Sequence, residues 1–126
     1  MNKQPDRESI RAMQPGRELD ALVEQYVFGN KVRWVQDLIT DQYPVSDQEG
    51  YIVDYYSTDI SVAWGVVEKM QENQWDFTLK NHKRLVHKRQ YEAIFGTPYS
   101  AFAITAPEAI CKAALLAVME GEEPRG

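Results

Sequence analysis

The side chains of this chain that could do chemistry are few. Two histidines, His82 and His87, stand beside a single cysteine, Cys111. A zinc site needs three or four ligands at fixed geometry. No Cys-x-x-Cys or His-x-x-x-His spacing supplies them. No metal or other cofactor is therefore expected, and both histidines read as solvent-facing groups of the expected hairpin. Cys111 lies among alanines and leucines. A reactive thiol needs exposure and nearby positive charge, so Cys111 reads as a packing residue. Asp59 is the best-placed acid, but a helix cap accounts for it. No Gly-rich phosphate loop and no Gly-x-Ser-x-Gly elbow is present. These residues point away from an enzyme and toward a binding protein.

Charge offers a stronger lead. Residues 80–89, "KNHKRLVHKR", hold Lys80, Lys83, Arg84, Lys88 and Arg89 with no acid among them. The whole chain has 14 basic and 19 acidic residues, so the remainder is markedly acidic. A net charge of −5 argues against duplex nucleic acid, which asks for a dominant basic face. A local anion site is compatible with it. Arginine grips phosphate or carboxylate bidentately, which singles out Arg84 and Arg89. The competing role is a solvated edge, where lysines discourage pairing with other strands. Aromatic residues add a second ingredient. Trp34, Tyr43, Tyr51, Tyr55, Tyr56 and Tyr99 fall in or beside expected loops. Stacking a base on such a ring contributes about 1–3 kcal/mol. Tyr56, Ser57 and Thr58 precede a helix, where backbone amides attract anions.

These residues must be positioned by a small set of elements. The chain of 126 residues is expected to form one domain over residues 15–121, with flexible segments at 1–14 and 122–126. A short helical turn is allowed at 7–13, with Asp6 as its cap. In "RELDALVEQYVFG", Leu19, Leu22, Val23, Tyr26 and Val27 form one helical stripe, and Gly29 suits a left-handed end. "KVRWVQDLI" reads as a strand with Val32 and Trp34 on one face. Residues 40–50 carry Asp, Pro, Ser and Gly and read as a loop, and "YIVDYY" as an extended lead-in or short strand. A second helix begins at Ser57 or Thr58, with Ile60, Ala63, Trp64, Val67 and Met70 or Gln71 turned inward and Gly65 reserved for close packing. "WDFTL" and "YEAIF" alternate as half-buried strands, and the basic stretch between them is expected to be a β-hairpin. Thr105 and Glu108 match a capping box that opens the alanine-rich last helix. The expected fold class is α+β: a small, largely antiparallel sheet covered by helices, an αβα-type sandwich with a protruding basic hairpin.

Three segments taken together resemble a known family. "PGRELDALV" at 15–23, "YSTDISVAWGVVEKM" at 56–70 and "TAPEAICKAALLAV" at 105–118 are similar to the phage ABA-sandwich domain family of phages and prophages of Gram-positive bacteria. The resemblance implies a helix–sheet–helix sandwich and a phage setting, but no reaction. The chain departs from the family pattern in its long 40–55 loop and its basic 80–89 stretch.

The phage setting motivates one functional expectation. The chain is expected to be a non-catalytic counter-defence factor in the cytoplasm of an infected bacterium. It would sequester a nucleotide-derived immune signal, a cyclic ADP-ribose isomer or a cyclic oligonucleotide, without cleaving it. Tyr56, Ser57 and Thr58 would meet phosphate or ribose, Arg84 or Arg89 would neutralise charge, and Trp34 would stack on the base. A homo-oligomer is expected, with ligand held between subunits. The alternative is an interaction module that docks the basic hairpin on an acidic host or phage protein. No apolar run is long enough to span a membrane.

Overall fold

Helix caps and apolar stripes fix the helices of the computed structural model, which describes residues 5–36, 42–47, 50–82 and 91–121. Among these residues there are four helices and five strands. Helix α1 (Arg7–Ala12) starts where the Asp6 carboxylate accepts the Ser9 amide at 2.8 Å. Ile10 from this helix is buried in the core. Helix α2 (Arg17–Tyr26) buries Leu19 and Val23, and Gly29 beyond its end adopts φ +76°, as the left-handed position requires.

Strands β1 (Val32–Gln36) and β2 (Gln42–Ser46) pair antiparallel, with Trp34 opposite Pro44. The sequence reading takes β2 for a loop because of its polar residues and Pro44. Proline is tolerated at such an edge position, where the Pro44 carbonyl turns away from β1 and accepts the Val53 amide at 3.1 Å. Ile52 adds a single antiparallel bridge to Val45.

Helix α3 (Ile60–Glu72) is capped by Asp59, whose carboxylate accepts the Ser61 amide at 3.0 Å, rather than by Ser57 or Thr58. Its buried face is Ala63, Val66, Val67 and Met70. Ile60 and Trp64 remain 42% and 43% exposed, so the inward stripe is rotated toward Val66 from the expected one. Trp64 meets Phe77 edge-on at 6.1 Å along the rim. Among the described residues nothing stands within 4 Å of a side chain built at Gly65, so close packing against them does not explain that glycine.

Strands β3 (Phe77–Asn81), β4 (Tyr91–Phe95) and β5 (Tyr99–Ala103) form an antiparallel sheet in that order. Asn81 pairs with Tyr91, which in turn pairs with Ala103. The expected antiparallel neighbours β3 and β4 are present. The residues that would make the basic hairpin, 83–90, lie outside the described residues. Strand β5 goes unpredicted because its inward positions are Ala101 and Ala103, while Phe102 points outward and is 43% exposed. Alternation is present there, but it looks inverted to a reading based on side-chain size.

Helix α4 (Ala106–Glu120) occupies the middle of the molecule. It packs on β4 and β5, and α1, α2 and α3 pack on it. Its residues from Pro107 to Ala117 are all buried. Thr105 caps it by accepting the Glu108 amide, as the capping pattern predicts. The architecture is thus mixed α+β, with two small antiparallel sheets where one is expected.

Candidate functional site

The most organised polar region joins helix α2 to the segment just before α3. Arg17, Asp20 and Glu24 are spaced i, i+3 and i+7, so they share one face of α2. That face holds the backbone and side chains of residues 53–57. Arg17 donates to the carbonyls of Val53 and Asp54, and to the Asp20 carboxylate at 2.7 Å. Its guanidinium also lies 3.9 Å from the centre of the Tyr55 ring. Asp20 accepts the Ser57 amide at 2.7 Å and the Ser57 hydroxyl at 2.6 Å. The Ser57 oxygen in turn accepts the Gly16 amide at 2.9 Å. Burial raises the Asp20 carboxyl above its usual range, against the opposing pull of the Ser57 donors and Arg17.

Glu24 completes the face. It is buried, and two neutral donors hold it. The Tyr56 hydroxyl donates to one oxygen at 2.6 Å, and the Asn30 amide donates to the other at 2.6 Å. Burial first, and the bond to Glu24 second, push the Tyr56 phenol well above its ordinary range, so it stays a donor. Phe28 stacks on Tyr56 at 5.2 Å and 20°. Beside this group opens a hollow of about 540 Å³, walled by Phe28, Tyr51, Ile52 and Tyr56 with Glu24 and Asn30 in its lining. That volume is in the range of small-molecule sites, about 300–1,000 Å³. Tyr51 is 56% exposed and offers its ring at the mouth.

The predicted site residues are only partly brought together. Tyr56 lines the hollow. Ser57 is buried, and its amide and hydroxyl are bound to Asp20. Thr58 is exposed in the turn before Asp59. Trp34 borders a different hollow, of about 640 Å³, with Glu18, Gln36 and Gln42. Arg84 and Arg89 lie outside the described residues. At the near end of their segment, His82 contacts Glu92 at 2.9 Å and lies against Phe102. Glu24, Phe28 and Asn30 escape sequence reasoning, because an acid on an amphipathic helix looks like solvated surface. The one available signal is the i, i+3, i+7 spacing of Arg17, Asp20 and Glu24 ahead of a polar, tyrosine-rich segment.

A smaller hollow of about 250 Å³ adjoins the start of α4. Lys112 lies there, nearly buried, donating to Glu108 at 2.7 Å and to the Arg11 carbonyl at 3.0 Å. Its cation is therefore committed to the fold. Cys111 is fully buried, and burial raises its thiol, which makes it a poor nucleophile. Among the described residues no group of three or more His, Cys, Asp or Glu is placed to hold a metal ion. No helix among them is long and apolar enough to cross a membrane.

The caps, the helix order and the antiparallel sheets define a small α+β sandwich domain. The chain belongs to the Phage ABA sandwich domain family, whose model matches residues 21–115. It is also similar to a phage protein from Bacillus cereus ATCC 14579 of known crystal structure. The two share 27% identity and a TM-score of 0.65, covering 94% of this chain and 100% of the other. No curated protein matches the chain.

Proposed function

We propose that the chain is a non-catalytic phage counter-defence protein that sequesters a nucleotide-derived immune signal in the cytoplasm of the infected cell. The signal is a cyclic ADP-ribose isomer or a cyclic oligonucleotide, held without cleavage. The observation that carries this reading is the aromatic hollow beside Glu24, Asn30 and Tyr56. Its volume suits a nucleoside, and the exposed Tyr51 ring gives a base a surface to stack on. The phage family supplies the setting.

The energetics favour a shared site. Holding a signal at nanomolar concentration takes about 12 kcal/mol. One stacked base contributes about 1–3 kcal/mol. The remaining contacts come from phosphate neutralisation and a second subunit, so the proposal includes a homo-oligomer. Lys31, exposed and next to Asn30, and the basic stretch with Arg84 and Arg89 supply the charge.

The test is direct. Purified protein is incubated with a panel of cyclic nucleotides, recovered, denatured, and its released ligand weighed by mass spectrometry. Intact ligand is expected. Converted ligand indicates an enzyme, and no ligand across the panel defeats the reading. Arg84→Glu with Arg89→Glu is expected to weaken capture while leaving the fold intact.

A further inference from the structure

We infer that the hollow beside Glu24 selects its ligand by hydrogen-bond donors, and takes a planar heterocycle bearing an exocyclic amino group, of the aminopurine class. The inference rests on the sequestration reading and assigns the base to this hollow and the phosphates to its outside. Two carboxylates, Glu24 and Asp54, line the hollow, and no lysine, arginine or histidine does so among the described residues. Two nearby donors already point at Glu24. The single hydroxyl hydrogen of Tyr56 points at one carboxylate oxygen, and Asn30 donates to the other. A carboxylate has about four lone-pair sites, so two bonds leave Glu24 with acceptor capacity to spare. The Asn30 carbonyl oxygen and the exposed Asp54 carboxylate add further acceptors. A phosphate brought into this lining would meet like charge. An amino group would meet acceptors, and the ring carrying it would lie against Tyr51 and Phe28.

The bonds at Glu24 also make this selectivity rigid. Its carboxylate is fixed at both oxygens, so it cannot turn to present a different edge. A hydrogen bond to a charged acceptor contributes roughly twice what a neutral one does.

The experiment compares adenosine with purine riboside, which lacks only the amino group, by calorimetric titration of the full chain. Adenosine is expected to bind at least tenfold more tightly. Inorganic pyrophosphate at the same concentration is expected not to displace it. Asp54→Asn, at the exposed rim, is expected to weaken adenosine severalfold and leave the melting temperature unchanged. Glu24→Gln is expected to erase the difference between the two nucleosides. Equal affinity for the two, or displacement by pyrophosphate, overturns the inference. So does capture of a cyclic nucleotide by a protein that binds neither nucleoside, an outcome that leaves the sequestration reading standing. If the chain binds adenosine with this preference but captures no cyclic nucleotide, the inference holds and the sequestration reading fails.

Discussion

Replacing Asp20 by alanine is the sharpest test of how the hollow is held. The carboxylate is fully buried and accepts two donors from Ser57 and one from Arg17. Asp20→Ala strands the Ser57 amide, at about 1–3 kcal/mol, and leaves the Ser57 hydroxyl only its longer bond to the Gly16 carbonyl at 3.2 Å. Arg17 keeps the carbonyls of Val53 and Asp54, so its loss is smaller. With the Arg17 ion pair included, the removal of one partner from a buried pair costs about 3–5 kcal/mol. Unfolding entropy is about 2.1 cal/mol/K per residue, or about 0.26 kcal/mol/K for this chain. The melting temperature should therefore fall by roughly 11–19 °C. Urea unfolding followed by tryptophan fluorescence checks the free energy independently. Ser57→Ala removes the hydroxyl but leaves the amide bond, so it should cost about 1–2 kcal/mol. The two changes should be non-additive by more than about 0.5 kcal/mol, because they share one bond. A loss below about 1 kcal/mol for Asp20→Ala, or strict additivity, refutes the claim that this network fixes the segment.

Three further outcomes are expected. Lys112→Met strands the Glu108 carboxylate and should cost about 3–5 kcal/mol, while adding Glu108→Gln should recover most of it; equal losses in the single and double variants would disprove the pairing. Gly121→Ala would place its Cβ 2.7 Å from the Tyr99 ring, 2.8 Å from the Ala117 carbonyl and 2.9 Å from Trp75. It should destabilise by about 1–3 kcal/mol in chemical denaturation. Asp59 is held below its usual 3.8 by the Ser61 hydroxyl and amide. Its folded-state pKa is thus depressed, so its stabilisation is present above the unfolded value and lost as pH falls through the folded one. The melting-temperature gap between wild type and Asp59→Ala should be full near neutrality and close in strong acid; a gap independent of pH would contradict this.

The helices are legible in the sequence because their signals are local. Leu19 and Val23 mark α2, and Thr105 with Glu108 marks the start of α4. The same locality explains the misplaced start of α3. Ser57 is a good cap residue by type, but a buried carboxylate on α2 claims it, and Asp59 serves instead. Strand β2 is hidden by Pro44, and β5 by its small inward residues. The hollow is the least legible part. Glu24 and Asn30 acquire meaning only when Tyr56, 32 positions beyond Glu24, is folded back onto them.

Helix α4 carries one more consequence, for the order in which the chain can fold. It is the shared support of α1, α2, α3, β4 and β5, yet it comes last among the described elements. Synthesis proceeds N-terminal first, at about 5–20 residues per second. The apolar faces of α2 and α3 therefore wait, exposed, for several seconds until residues 106–120 emerge. Strands β3, β4 and β5 can pair with one another in that interval, but they have no apolar layer to rest on. Nascent chains should accordingly stay protease-sensitive until α4 is free, and then become resistant in a single step.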